Sequence, residues 1–246
     1  MHQNDVYIID GFIFFNEMEL LKARVSILKD VVDCHLCVEG NQTFQGDMKP
    51  LNYIPISEKI LYGTADLPTY ATAWLREYYQ RNVVVEYARN IQVPSNKLVI
   101  LLLSDVDEVP HPDAVRKLRT THYGEMAGGK IAALHTDTYY YYTNLLTSFG
   151  SYAIKAQKLD AVQSGQDLRS AWWDVDIYPA GWHFSYIGDI ATKIKAFSHT
   201  ELNTPAILES ISENVENTRD LFGRDVHMEY IDKERIPKEV WHLARI

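Results

Sequence analysis

The sequence predicts an α/β fold with a central, mostly parallel sheet flanked by helices. Three observations predict it. Leu98 to Leu103 is an unbroken run of Leu, Ile and Val, the pattern of a strand buried on both faces in the middle of a parallel sheet. Val6 to Asp10, Glu17 to Lys29 and Val31 to Val38 read as strand, helix and strand at the spacing of a βαβ unit. Directly after the apolar run stand Asp105, Asp107 and Glu108, stopped by Pro110 and Pro112. Open α/β sheets bind ligands outside the carboxyl ends of their strands.

Size and composition narrow the classes. A chain of 246 residues fits one large α/β domain and can bury a substantial core. With 46% hydrophobic and 23% charged residues, wholesale disorder is excluded. A formal net charge of −9 excludes a general nucleic-acid binder, because neutralising phosphates needs a basic surface. The two cysteines, Cys34 and Cys37, fall on opposite faces of a strand. They therefore read as small buried hydrophobes rather than a metal knuckle. The start of the chain lacks a signal peptide and no apolar run reaches the length of a membrane span, so a cytoplasmic protein is expected.

The elements follow in order. After strand one, Gly11 to Asn16 reads as a loop, with Asn16 as N-cap of the first helix. Leu20, Leu21, Val25, Ile27 and Leu28 give that helix its buried stripe. Glu39 to Thr43 is a polar loop, Phe44 to Pro55 is irregular, and Ile60 to Tyr62 is a short strand. Thr69 to Ile91 reads as a long helix leading to the central strand. Ala114 to Arg119 starts another helix, and Gly128-Gly129 turns into a strand at Ile131 to Leu134. Asp137 to Tyr142 is a tyrosine run whose rings either stack on a sugar or pack in a sheet, and Trp172-Trp173 poses the same choice. Gly181 to Tyr186 is strand-like, Thr192 to Phe197 and Pro205 to Phe222 are helical, and Pro237 to Ile246 is a short tail.

The chemistry centres on Asp105 and Asp107. At i and i+2 of an extended strand end their carboxylates share one face and can reach one hard cation; the alternative is a surface turn that caps the next helix. Glu108 points the other way and reads as structural. His183 can complete a Mn²⁺ site or be a satisfied core imidazole. Lys193, Lys195 and His199 cluster as cations suited to a diphosphate or to a solvated helix face. Arg76, Gln80 and Arg81 lie on the helix before the central strand, within reach of a phosphate or on the surface.

Taken together, Phe14-Phe15-Asn16-Glu17, Leu20-Leu21, Arg24, Val32-Asp33, Glu39, Thr43-Phe44, Gly46 and Lys49-Pro50-Leu51 form one block. Gln80-Arg81-Asn82, Ser104 to Pro110, Gly181 to Tyr186, Phe197 to Glu201 and Asp220 to Arg224 follow in order. This ordered set resembles glycosyltransferase family 17, whose best-known members add the bisecting GlcNAc to N-glycans.

The resemblance implies a single GT-A type, Rossmann-like glycosyltransferase domain over residues 1–246. Its nucleotide-binding part would cover about 1–112 and its acceptor side about 113–246. It implies an inverting transfer of GlcNAc or another hexose or pentose from a UDP-sugar to a glycan hydroxyl. Asp105, Asp107 and His183 would hold Mn²⁺ or Mg²⁺, and Lys193 and Arg81 would meet the diphosphate. Phe14, Asn16, Glu17, Glu39 and Asn41 would line the nucleotide pocket. Asp167, Glu201 and Asp174 are the candidate bases. Without the membrane anchor of the animal members, the expected acceptor is a bacterial or viral glycan or a lipid-linked intermediate. The competing classes are a metal-dependent nucleotidyltransferase or phosphohydrolase, and a catalytically silent glycan-binding module. The aromatic, uncharged Gly11-Phe12-Ile13-Phe14-Phe15 after strand one disfavours the first.

Overall fold

The computed structural model describes residues 5–245. β1 (Val6–Phe14), α1 (Met18–Leu28) and β2 (Cys34–Gly40) form the expected βαβ unit. β3 (Ile60–Ala65), α2 (Ala73–Arg89) and β4 (Leu98–Asp105) form a second. There follow β5 (Glu108–Pro110), α3 (Pro112–Arg119), α4 (Tyr123–Ala127), β6 (Ala132–Tyr140) and β7 (Leu145–Lys158). The rest is α5 (Gly165–Ser170), β8 (Val175–Ile177), β9 (Gly181–Ser185), α6 (Ile190–Ala196), α7 (Pro205–Glu216) and β10 (Met228–Tyr230).

The main sheet runs β3-β2-β1-β4-β7-β6-β9-β5, with β10 on β7 and β8 on β6. The pairs β3·β2, β2·β1 and β1·β4 are parallel, and β7 joins β4 antiparallel. One sheet thus passes through both halves of the chain. β4 is buried on both faces, as its sequence predicts. Ile100 and Leu102 join the core under α3 and α4, while Leu101 and Leu103 join the core under α2.

The path of the sheet dictates its curl. β4 ends at Asp105 and β5 begins at Glu108, yet β7, β6 and β9 lie between them in the strand order. Four strand spacings across a flat sheet would be about 19 Å. A link through Val106 and Asp107 spans about 11 Å at most. The sheet must therefore curl until β5 reaches β9, and it pairs Glu108 with His183.

Several boundaries differ from expectation. β1 continues to Phe14 instead of ending at Asp10, because Gly11 to Phe14 pair with β2 and Gly11 to Ile13 also pair with β4. Gly11 suits the middle of this strand: a Cβ there would lie 2.7 Å from Val84 Cγ1 on α2. Likewise β2 continues through Glu39. Asn16 does not cap α1; Glu17 occupies the N-cap without a capping bond, and its carboxylate accepts from the Phe15 and Asn16 N–H groups instead. The two strands expected at 131–134 and 137–142 are one strand, β6, in which Tyr139 and Tyr140 are buried, as is Tyr141 just after it. The tyrosine run is sheet packing. Cys34 and Cys37 are free and buried in different core clusters, as expected. Among the described residues no helix is long and apolar enough to cross a membrane.

Arg24, on α1, is fully buried and ties these pieces together. It grips both Asp10 oxygens, at 2.9 and 2.6 Å, and donates to Ser104 Oγ at 2.7 Å. It also donates to the carbonyls of Asp105 at 3.0 Å, Val106 at 3.3 Å and Glu108 at 2.7 Å. His35 Nδ1 adds a contact to Asp10 at 2.8 Å. Burial opposes the charge on Asp10, but Arg24, seconded by His35, outweighs it and holds the carboxyl well below the usual range.

Replacing Arg24 with Met strands the Asp10 charge in the core and should cost about 3–5 kcal/mol, read as a lower urea midpoint. The sign with pH follows. A depressed folded value means the pair contributes fully above pH about 4 and less as pH falls below it. The gap between native and Arg24→Met proteins should therefore narrow in acid.

Candidate active site

A cleft of about 410 Å³ opens at the carboxyl ends of β1, β2 and β4. Its floor is the turn after β4, whose backbone Arg24 fixes. Its walls come from the end of β1 (Phe14, Phe15, Glu17), the end of β2 and the segment after it (Gly40, Gln42 to Phe44), α2 (Trp74, Glu77, Gln80, Arg81), α5 (Arg169), β9 (His183) and α6 with its following segment (Lys193 and Ala196 to His199). The structure therefore brings together Phe14, Glu17, Arg81, Asp105, Asp107, His183 and Lys193.

The floor is a charge lattice. Both Asp105 oxygens lie 3.3 Å from Arg81 Nη2, and Arg169 Nη2 lies 3.2 Å from Oδ2. Arg169 also clasps Glu108 with both nitrogens, at 2.5 and 2.9 Å. Glu108 further accepts the Asp105 N–H at 2.8 Å, which makes it the structural residue its position predicts. Asp107 divides its oxygens: Oδ2 meets Lys193 Nζ at 2.5 Å and Oδ1 faces His183 Nε2 at 3.9 Å. Lys193 is also 3.6 Å from Glu17.

Burial works against the charges of Asp105, Arg169 and Lys193, and their partners more than compensate. Arg169 and Arg81 hold the Asp105 carboxyl well below its usual range. Asp105 and Glu108 raise Arg169, and Asp107 and Glu17 raise Lys193, above their ordinary values. All three are firmly ionised.

Asp107 and His183, 3.9 Å apart, are the two side chains here that could share a cation. Among the described residues no three His, Cys, Asp or Glu side chains converge on one point. Two donors fit a cation that takes its remaining oxygens from substrate and water, the habit of Mg²⁺ at phosphate sites. Asp105, expected beside them, faces arginines instead.

Of the other expected residues, Gln80 and His199 also line the cleft, and the rest fall outside the lining. Glu39 is fully buried and accepts from Lys49 at 2.5 Å, the Asn52 and Tyr53 N–H groups and the Tyr62 hydroxyl. It braces the irregular segment after β2. Asn41 accepts the Leu67 N–H and donates to Asp66, and Asn16 only flanks Glu17. Lys195 is exposed. Arg76 spends its guanidinium on the carbonyls of Pro68, Phe44 and Thr69. Gln80 bridges the carbonyls of Val38 and Phe14. The three candidate bases are exposed. Asp167 bonds Ser164 at the start of α5, Asp174 accepts the Ile131 N–H, and Glu201 bonds His199.

The family model of glycosyltransferase family 17 matches residues 1–228. The chain belongs to that family. Comparison with curated proteins finds no match. A glycosyltransferase takes a sugar donor and a glycan acceptor as its substrates. Sequence reasoning missed Arg169 and Trp74 here. The signal for Arg169 was a cation two residues beyond Asp167, on the helix facing the acidic turn.

Replacing Arg169 with Met should cost about 3 kcal/mol in urea unfolding, because Glu108 then lies buried without a cation. Adding Glu108→Gln should recover part of that loss, since neutralising the stranded carboxylate removes its penalty.

Proposed function

We propose that this family 17 chain is an inverting, metal-dependent glycosyltransferase of the GT-A type. In this reading it moves GlcNAc or another hexose or pentose from a UDP-sugar to a glycan hydroxyl. Family membership supports the transfer itself. The parallel order β3-β2-β1-β4 supports the nucleotide-binding half, since it is the order of a mononucleotide-binding sheet. The observation that carries the reading is the facing pair Asp107 and His183, with Lys193 on the other Asp107 oxygen, at the mouth of the central strand.

Asp107 and His183 would hold Mn²⁺ or Mg²⁺, which when bound offsets negative charge on the departing nucleotide. Lys193 and Arg81, both lining the cleft, would meet the diphosphate oxygens with charges that need no reorganisation during the reaction. Phe15 and Glu17, at the end of β1, offer an aromatic face and a carboxylate to the nucleoside. Asp105 acts through Arg81 and Arg169, holding the two guanidinium groups in register. The free, buried thiols of Cys34 and Cys37 suit a reducing, cytoplasmic setting.

A thermal-shift panel of UDP-sugars with Mn²⁺ tests this. A ligand at a hundredfold its Kd adds about 2.7 kcal/mol, or about 5 °C or more in this size range. EDTA and Asp107→Ala should each remove the Mn²⁺-dependent part of the shift. If no UDP-sugar raises the melting temperature or is hydrolysed with Mn²⁺, the reading is wrong.

A further inference from the structure

Inverting transfer needs a base, and the carboxylates of the cleft are already committed. Asp105 is gripped by Arg81 and Arg169, and Asp107 is divided between Lys193 and His183. Glu17 gives one oxygen to two backbone N–H groups and turns the other towards Lys193. Glu77 gives one oxygen to Arg81, and its second oxygen is shut away from solvent. Of the two histidines that line the cleft, His183 faces Asp107, which leaves His199.

His199 has the surroundings of a base. Its Nδ1 lies 2.8 Å from Glu201 Oε1. A carboxylate can only accept, so Nδ1 carries the hydrogen, and in the neutral ring the lone pair then falls on Nε2. That hydrogen bond holds the exposed Glu201 carboxyl below its usual value. The ring stands edge-on to Trp74, centroids 4.5 Å apart at 80°. Trp74 lines the cleft and is 38% exposed, which leaves indole surface free for a sugar ring. Tyr78 and Phe197, the other aromatic neighbours of this pair, bring no charge, so Glu201 is the charged partner of the imidazole. Along α2, Trp74 stands seven residues from Arg81. That is about 10 Å at 1.5 Å per residue, room for a donor sugar between the charged floor and the rim.

We propose that His199 is the catalytic base of the transfer, that Glu201 is the positioning residue that fixes its tautomer, and that the acceptor sugar stacks on Trp74. The inference rests on the glycosyltransferase reading above. In the step, the acceptor O–H proton passes to His199 Nε2 as the oxygen forms a bond to the anomeric carbon. The bond from that carbon to the diphosphate oxygen breaks, and its electron pair leaves with the nucleotide. Glu201 then faces an imidazolium.

The test measures UDP release from UDP-sugars with Mn²⁺, with water or p-nitrophenyl glycosides as acceptor, alongside UDP-sugar affinity. His199→Ala should lower turnover by about 10²- to 10⁴-fold with donor affinity unchanged, and added imidazole should restore part of the rate. Glu201→Gln should cost less and shift the pH profile. The His199 side chain is half-exposed, so folding should survive, and His199→Gln gives a second reading. Turnover within threefold of the unaltered protein, or a matching loss of donor affinity in both His199 variants, overturns the assignment. If the unaltered protein binds no UDP-sugar, the glycosyltransferase reading fails first and this assignment with it. That outcome is distinguishable because it precedes any substitution.

Discussion

The guanidinium of Arg24 is the contact on which the rest of the molecule hangs. A buried positive charge is tolerable only when surrounded by acceptors, and this one has six contacts within hydrogen-bond reach on β1, β4 and the turn beyond. Three of those acceptors are main-chain carbonyls of Asp105, Val106 and Glu108. The turn that carries the acidic side chains is therefore shaped from behind, through its backbone. Its carboxylates are free to face the cleft. Phe12 closes the arrangement, with the guanidinium carbon 4.5 Å from its ring centre.

Shaping the turn would achieve little if β5 did not then meet β9. The short link between β4 and β5 forces the sheet to curl, and the curl brings His183 against Asp107 from a strand far along the chain. Lys193 follows from the helix after β9, and Arg169 comes from the helix after β7. Each cation on the acidic floor thus arrives from a different element. The site exists only in the folded chain.

This explains what could be read beforehand. β4 was legible because burial on both faces leaves an apolar run, and the βαβ unit because its periods change from strand to helix within a few residues. Asp105, Asp107, His183, Lys193 and Arg81 were legible as residue types suited to one chemistry in an ordered series of motifs. β7 was not. Its middle, from Ser148 to Gly150, is exposed while its ends are buried, so no single period runs through it. Glu39 lies buried against four residues of its own chain, and a carboxylate at a strand end looks the same in sequence whether it faces such neighbours or a ligand. Asp167 and Asp174 lie outside the cleft lining, bonded to Ser164 and to the Ile131 N–H, and acids in such roles carry no local mark in the sequence that separates them from bases. Glu201 lies outside the cleft lining, and the residue beside it that lines the cleft is His199.

The balance of charge in the cleft argues for the chemistry assigned to it. Lys49, Arg81, Arg169 and Lys193 line it with four positive charges, and Glu17, Glu77, Asp105 and Asp107 with four negative ones. The formal sum is zero. A nucleotide diphosphate adds negative charge to a region where each cation already has a carboxylate of its own. Either some of these ion pairs must open, at a cost set by their burial, or a further cation must enter with the donor. Asp107 and His183 present two donor atoms to the space between them and can take such a cation without surrendering Lys193. Under the proposed reading, a divalent ion held there would offset the added charge and leave the supporting pairs intact. The electrostatics of the cleft thus match the metal-assisted departure proposed above.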